Sequence, residues 1–191
     1  MPDNLHFFNK YKHPKNIRFK SMYRALSIAQ SRNLKIIVET GTARGRKKFF
    51  LFNKYNWKDG MSTIIFAEYA KRQNGKLFTC DISQTNIKSS IKFTKEFNRY
   101  ITFIVDDSVN YLNNLNLKID FLYLDSLDGH NPKESSLHQL EEIKSALNKL
   151  HRNSLVLLDD KSTKAKLSLN YMLDQNFKIL NETDEQILLS L

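Results

Sequence analysis

Carboxylates and two glycines stand at the ends of apolar runs throughout this chain: Glu39 with Gly41 and Gly45, then Asp81, Asp106-Asp107, Asp125, and Asp159-Asp160. Each residue type has a definite chemical use. A carboxylate accepts hydrogen bonds from ligand hydroxyls or from an ammonium group, and a glycine lets a ligand approach the backbone or lets the chain adopt positive φ. A single carboxylate after a strand commonly caps the next helix. The same placement after five successive strands is hard to attribute to capping alone. In open α/β sheets ligands bind outside the carboxyl ends of the strands, so these groups are expected to face one crevice.

The elements that would position them are legible from periodicity. Ile36, Ile37 and Val38 form a β-branched run suited to a strand buried on both faces, and Gly41-Thr-Ala-Arg-Gly45 supplies an open turn after it. Further strands are expected at 76–80, 101–105, 120–124, 155–158, 177–181 and 186–190. The last two, joined by a short polar link, should pair as a hairpin. Helices are expected at 17–31, 63–73, 86–97, 109–115, 133–150 and 164–174. Met22, Ala25, Leu26 and Ala29 show the spacing of a buried helical face, and so do the apolar residues at 137, 140, 143, 147 and 150. Asn16 is the expected cap of the first helix, and Ser62 and Thr63 supply capping chemistry for the second. Alternating strands and helices make a parallel sheet covered on both faces, with one antiparallel strand contributed by the hairpin.

Residues 46–60 interrupt a connection that is ordinarily short, which marks them as a functional loop. Residues 1–60 carry 14 Lys/Arg against 3 Asp/Glu, while 61–191 carry 16 against 17, so the net charge of +10 belongs to the first third. An anionic substrate or partner is expected there. The chain has 191 residues, 41% of them hydrophobic, which suits one domain. Its single cysteine, Cys80, rules out an internal disulfide framework. No apolar signal-peptide core opens the sequence, and no apolar run approaches membrane-spanning length, so a soluble, cytoplasmic protein without a membrane partner is expected.

Taken together, these motifs resemble the class I S-adenosylmethionine-dependent methyltransferases over about residues 35–191. Val38–Gly45 resembles their first motif, Phe78–Asp81 the second-strand acid that holds the ribose hydroxyls, and Val105–Ser108 the turn beside the adenine. Asp59-Gly-Met-Ser-Thr63 resembles a Gly-x-Ser-Thr of small-molecule enzymes whose helix start lies by the cofactor. The resemblance implies a Rossmann-like seven-stranded sheet with helices on both faces and an antiparallel C-terminal hairpin. It divides the chain into a basic arm and helix over 1–33 and a methyltransferase domain over 34–191. It also implies S-adenosylmethionine held by Glu39, Gly41, Gly45, Ser62, Asp81, Asp107 and Ser108.

Within that class, Tyr123–His130 and Leu157–Asp160 resemble the metal-dependent O-methyltransferases of the catechol and cephalosporin-hydroxylase-like kinds. By that resemblance Asp125, Asp159 and Asp160 would hold Mg²⁺ or a similar cation, which prefers hard oxygen donors. The catechol enzymes place a lysine three residues after the first ligand. Here that position is Asp128, so His130, with Asp125, becomes the candidate for proton removal. The expected reaction is metal-assisted O-methylation of a hydroxyl on a small, anionic or sugar-like acceptor, with Arg44, Arg46, Lys47 and Lys48 binding its charge. The rivals are an RNA methyltransferase, in which Phe7, Phe8, Tyr11 and Tyr23 would stack on bases, and a non-catalytic cofactor-binding subunit. A dinucleotide site is disfavoured, because Ala43 stands where Gly-x-Gly-x-x-Gly needs its second glycine.

Overall fold

The structure, a computed structural model, describes residues 5–49, 52–59, 61–127 and 130–191. Nine strands occur among these residues: β1 (Ile36–Thr40), β2 (Arg46–Phe49), β3 (Phe52–Tyr55), β4 (Lys76–Asp81), β5 (Ile101–Val105), β6 (Ile119–Leu124), β7 (Leu150–Leu158), β8 (Lys178–Glu182) and β9 (Ile187–Ser190). The helices are α1 (Phe19–Ser31), α2 (Ser62–Arg72), α3 (Gln84–Phe93), α4 (Ser108–Asn114), α5 (Pro132–Ala146) and α6 (Ala165–Asp174). Seven strands form one sheet in the order β5, β4, β1, β6, β7, β9, β8. The first five run parallel, and β9 pairs antiparallel with both β7 and β8.

Strand alternation builds two cores. Ile37, Phe121, Tyr123, Leu155, Leu157 and Leu188 face one way, onto Met22 and Leu26 of α1 and Ile65, Phe66 and Tyr69 of α2. Val38, Leu122, Leu124, Val156, Leu158 and Leu189 face the other way, onto Ile143 and Ala146 of α5 and Met172 of α6. Consecutive residues therefore serve opposite cores, which explains near-continuous apolar runs in the central strands. Burying both faces leaves the strand ends as the place where polar chemistry can reach solvent.

Several local readings need correction. Phe7, Phe8 and Tyr11 of the basic arm do not stand out to stack on bases. They sit on a 3-10 turn, His6–Tyr11, and are buried, with Phe8 packed against Phe19 and Tyr23. Asn16 does not cap α1; its side-chain amide donates to the Tyr11 carbonyl at 3.0 Å, and the cap position is Arg18. Within the insertion β2 and β3 pair antiparallel, and a 3-10 turn, Trp57–Asp59, follows, whose tryptophan stacks on His13. Helix α5 ends earlier than its apolar spacing implied, and β7 begins five residues earlier, at Leu150. No helix among the described residues is long and apolar enough to cross a membrane.

The turn after β1 depends on Gly41. Its φ is +80°, and a Cβ there would lie 2.2 Å from the Asp125 carbonyl oxygen. The turns after β1 and β6 thus touch backbone to backbone, which draws Asp125 in beside the glycine loop. Gly41→Ala is expected to lower the unfolding free energy by about 1–3 kcal/mol from backbone strain, with steric displacement of the β6 turn added to it. Urea unfolding midpoints of the two proteins measure this.

Candidate active site

The carboxyl ends of the parallel strands open onto a cavity of about 350 Å³. Gly41, Asp81, Ser83, Asn86, Asp107 and Ser108 line one part of it, while Arg18, Lys58, Asp125, Ser126 and Asp160 line the other, with Arg44 also on its wall. The parallel strands end at one edge of the sheet, which gathers residues that stand far apart in the sequence.

Asp81 ends β4 beside the β1 turn. It accepts from the Thr42 amide at 3.2 Å, from the Ser83 amide at 2.7 Å and from the Asn86 side chain at 3.2 Å. Ile82, next to it, is 75% exposed and lines the same cavity, an apolar surface beside a carboxylate. Asp107 caps α4 by accepting from the Asn110 amide at 3.0 Å. The Ser108 hydroxyl lies 2.9 Å from His138 Nε2. His138, on α5, lines the cavity and stands 3.7 Å from Glu142, whose carboxylate also accepts from Ser126 at 2.6 Å.

Glu39, Gly45 and Ser62 were expected to touch the cofactor, but none lines the cavity. Glu39 is wholly buried, and its Oε2 accepts from Thr63 and from Thr79 at 2.7 Å each. The strand alternation that puts Val38 in one core sends Glu39 toward α2 instead. Thr63 bonds Glu39 and accepts from the Ala43 amide at 2.8 Å, so it ties the β1 turn to α2 rather than capping that helix. Ser62 is buried as the first residue of α2, whose cap position is Met61, and it too hydrogen-bonds Glu39. Gly45, at φ +73°, is needed because Phe93 packs where its Cβ would be. His130 is exposed in the turn before α5 and outside the cavity wall, whereas His138, which periodicity alone did not single out, is on it. Gly60, Asp128 and Gly129 lie outside the described residues. Arg46, Lys47 and Lys48 lie on β2, which leaves the turn directly after Gly45.

Asp125, Asp159 and Asp160 do converge, with ligand-type oxygens within 4.8 Å of one another. They hold protein cations. Arg18 Nε donates to both oxygens of Asp159, at 2.7 and 2.9 Å, and its Nη2 reaches Asp160 Oδ1 at 2.8 Å. Lys164, with a side chain 2% exposed, places Nζ 3.0 Å from Asp160 Oδ2 and 3.4 Å from Asp125 Oδ1. Tyr123 donates to Asp125 Oδ2 at 3.2 Å, and Gln186 donates to Asp159 Oδ1 at 2.7 Å. All six carboxylate oxygens are thereby engaged. A divalent ion needs several of them at about 2.0–2.6 Å, so it does not fit unless Arg18 and Lys164 leave.

Burial and the neighbouring Asp159 charge push the Asp125 carboxyl well above its ordinary value. Burial acts on Asp159 in the same sense, but the charge and hydrogen bonds of Arg18 outweigh it and hold Asp159 below the usual carboxylate range. Asp160 adopts φ +49° and Leu127, on the cavity wall, φ +47°, left-handed conformations uncommon for such residues and often found at functional turns.

A family model described as a methyltransferase domain matches residues 57–161, from the end of the insertion through the second acidic pair. The chain belongs to that family. It is an S-adenosylmethionine-dependent methyltransferase by that membership, and the sheet order is that of the class I fold. No curated protein matches the sequence. Among solved structures, the SAH-bound Podospora anserina methyltransferase PaMTH1 superposes with a TM-score of 0.64 at 16% identity, covering 100% of this chain and 88% of that one. SMU.1697c of Streptococcus mutans, in complex with SAH, gives 0.61 at 14% identity over 88% of this chain and 96% of that one. The N-methyltransferase NodS of Bradyrhizobium japonicum gives 0.58 at 14%, covering 100% and 97%. At such identities the likeness speaks for the fold of this methyltransferase.

Burial pushes the Glu39 carboxyl from 4.5 up to about 7, against the hydrogen bonds from Ser62, Thr79 and Thr63. A folded value above the unfolded one means that the native state binds the extra proton, so stability is full below about pH 4.5 and declines as pH rises through about 7. For the ligand-free methyltransferase, Glu39 should cost about 3 kcal/mol between pH 4.5 and 8, at 1.36 kcal/mol per unit. Glu39→Gln should remove most of that slope, and denaturant titrations of both proteins across the range will measure it.

Proposed function

We propose that this methyltransferase binds S-adenosylmethionine across the strand-end cavity and transfers its methyl group to a hydroxyl of a small, anionic or sugar-like acceptor. The observation that carries the reading is Asp81: a carboxylate at the end of β4, facing the Gly41–Arg44 turn, with exposed Ile82 beside it and Ser108 on the same wall. That set suits a nucleoside, since the carboxylate can accept from ribose hydroxyls while Ile82 offers an apolar face to a base. The cavity, at about 350 Å³, lies within the roughly 300–1,000 Å³ range of small-molecule sites. The SAH-containing relatives of the same fold support the assignment.

When bound, the sulfonium supplies an electrophilic methyl carbon, and the protein's part is alignment and proton removal. Asp125 is the residue placed for the latter. It lines the cavity, and its raised affinity for protons makes it a stronger base than an ordinary aspartate. His130 is exposed and lies off the cavity wall. Arg18 and Lys164 already engage the acids from which Mg²⁺ assistance is expected by the sequence.

Cations around the acceptor side support an anionic acceptor. Arg44 and Lys58 line the cavity, and β2, which starts directly after Gly45, carries Arg46, Lys47 and Lys48 in its sequence. The RNA reading loses its stacking platform, since Phe7, Phe8 and Tyr11 belong to the core. A non-catalytic subunit would have no use for Asp125 and Asp160 opening on the cavity.

Calorimetry with S-adenosylmethionine tests the cofactor assignment. Asp81→Ala should weaken binding by about 1–3 kcal/mol through loss of a charged acceptor, and binding unaffected by that change would refute the placement. In a methyl-transfer screen against hydroxylated metabolites, Asp125→Asn should keep cofactor affinity and lose turnover. With an acceptor in hand, replacing Arg46, Lys47 and Lys48 together by Ala should raise its KM in a salt-sensitive way and leave cofactor affinity unchanged. An unaltered KM would assign the hairpin to structure alone.

A further inference from the structure

The strand-end acids are arranged as a cation site, and the cations in it come from this chain. We propose that Arg18 and Lys164 occupy the place of a divalent metal, so that this methyltransferase works without one and the residues preceding α1 complete the acceptor side of the site. The proposal rests on the methyltransferase reading only for its consequence on turnover; the cation chemistry stands on the geometry.

Three features carry it. First, both oxygens of each carboxylate are satisfied: Asp159 by Arg18 and Gln186, Asp160 by Arg18 and Lys164, Asp125 by Lys164 and Tyr123. Second, the two cations are built in rather than resting on the surface. The Arg18 side chain is 11% exposed and that of Lys164 2%. Arg18 Nη1 also donates to the Lys58 carbonyl at 3.1 Å, and Lys164 Nζ donates to the Ser126 carbonyl at 3.0 Å. One guanidinium therefore ties the start of α1 and the end of the insertion to the strand-end acids. Third, the charges nearly balance, three carboxylates against two cations. Adding a divalent ion would bring two further positive charges against a guanidinium and an ammonium already seated on the same oxygens, and charges that close repel strongly even at a partly exposed site.

The two arrangements separate on metal binding itself, with no acceptor needed. The free Mn²⁺ signal in electron paramagnetic resonance is titrated with full-length protein, with S-adenosylmethionine calorimetry on the same samples. The native protein should leave the Mn²⁺ signal intact, and its melting temperature should not move on adding EDTA or Mg²⁺. Arg18→Ala should vacate the acids and bind Mn²⁺ on the order of tenfold or more tighter than the native protein, while Arg18→Lys should stay close to native. Should Arg18→Ala fail to fold, Lys164→Gln provides the same comparison at Asp125 and Asp160. Stoichiometric Mn²⁺ binding by the native protein, lost in Asp159→Asn, would overturn the proposal. So would silence in both vacated variants, since the acids would then be no cation site at all. Failure to bind S-adenosylmethionine would instead count against the cofactor assignment and leave the Mn²⁺ result intact.

Discussion

Asp159 is a fully buried carboxylate at the end of a central strand, and a buried charge must be paired or given up. Arg18 is its partner across 141 residues of sequence, and much of the acceptor side of the molecule follows from meeting that need. Arg18 stands at the first turn of α1, so the pair sets where that helix begins against the sheet. Gln186 of the C-terminal hairpin donates to the same carboxylate and also contacts Tyr123 and the Ser21 hydroxyl. The beginning of the chain, its middle and its end thus converge on one oxygen pair. A buried ion pair of this kind adds little net stability compared with apolar packing, but loss of one partner is costly, and that asymmetry favours a single arrangement of these three segments.

The framework of the site was legible in the sequence because it rests on local signals. Apolar strands followed by acids mark Asp81, Asp107, Asp125, Asp159 and Asp160, and a parallel sheet gathers strand ends whatever lies between them. What was not legible depends on which way a side chain turns or on contacts far apart in sequence. Glu39 ends a strand like the others, but β-alternation directs it to Thr63 and Thr79 rather than the cavity. His130 lies in the loop after the fourth acid, whereas His138 reaches the cavity from α5, where its only sequence mark is four-residue spacing to Glu142. Arg18 falls in the helix expected at 17–31, with no mark of a partner. Nothing near it in sequence distinguishes it from neighbouring Lys15 or Lys20, and only the fold brings it to Asp159.

The aromatic N-terminus was misread for a related reason. Phe7, Phe8 and Tyr11 show no helical or strand period, because they sit on a 3-10 turn whose residues eclipse every third position. Their burial is evident only once Phe19, Tyr23 and Phe97 are assembled around them. Tyr11 then donates to Glu68 at 2.8 Å, while Lys10 and Arg72 also pair with that carboxylate. Charge counting located the excess of Lys and Arg in the first third correctly, but not its use. Part of it neutralises acids of this same chain, at Glu68, Asp159 and Asp160, before any ligand is met.

That internal use changes how the acidic cluster should be understood. Three carboxylates within 4.8 Å would repel strongly if all were ionised and unpaired, so some positive charge must accompany them in the folded state. A metal and a guanidinium meet this requirement differently. A metal draws the oxygens inward to short bonds and leaves open coordination positions for a substrate. A guanidinium keeps them near 2.8 Å, fills its own donors and offers no vacancy. Under the proposed transfer to a hydroxyl, activation of that acceptor would fall to a protein base. Asp125 is the member of the triad that such a reaction would call on: it opens on the cavity, burial and the Asp159 charge disfavour its charged form, and its nearest cation, at 3.4 Å, is the loosest contact of the set.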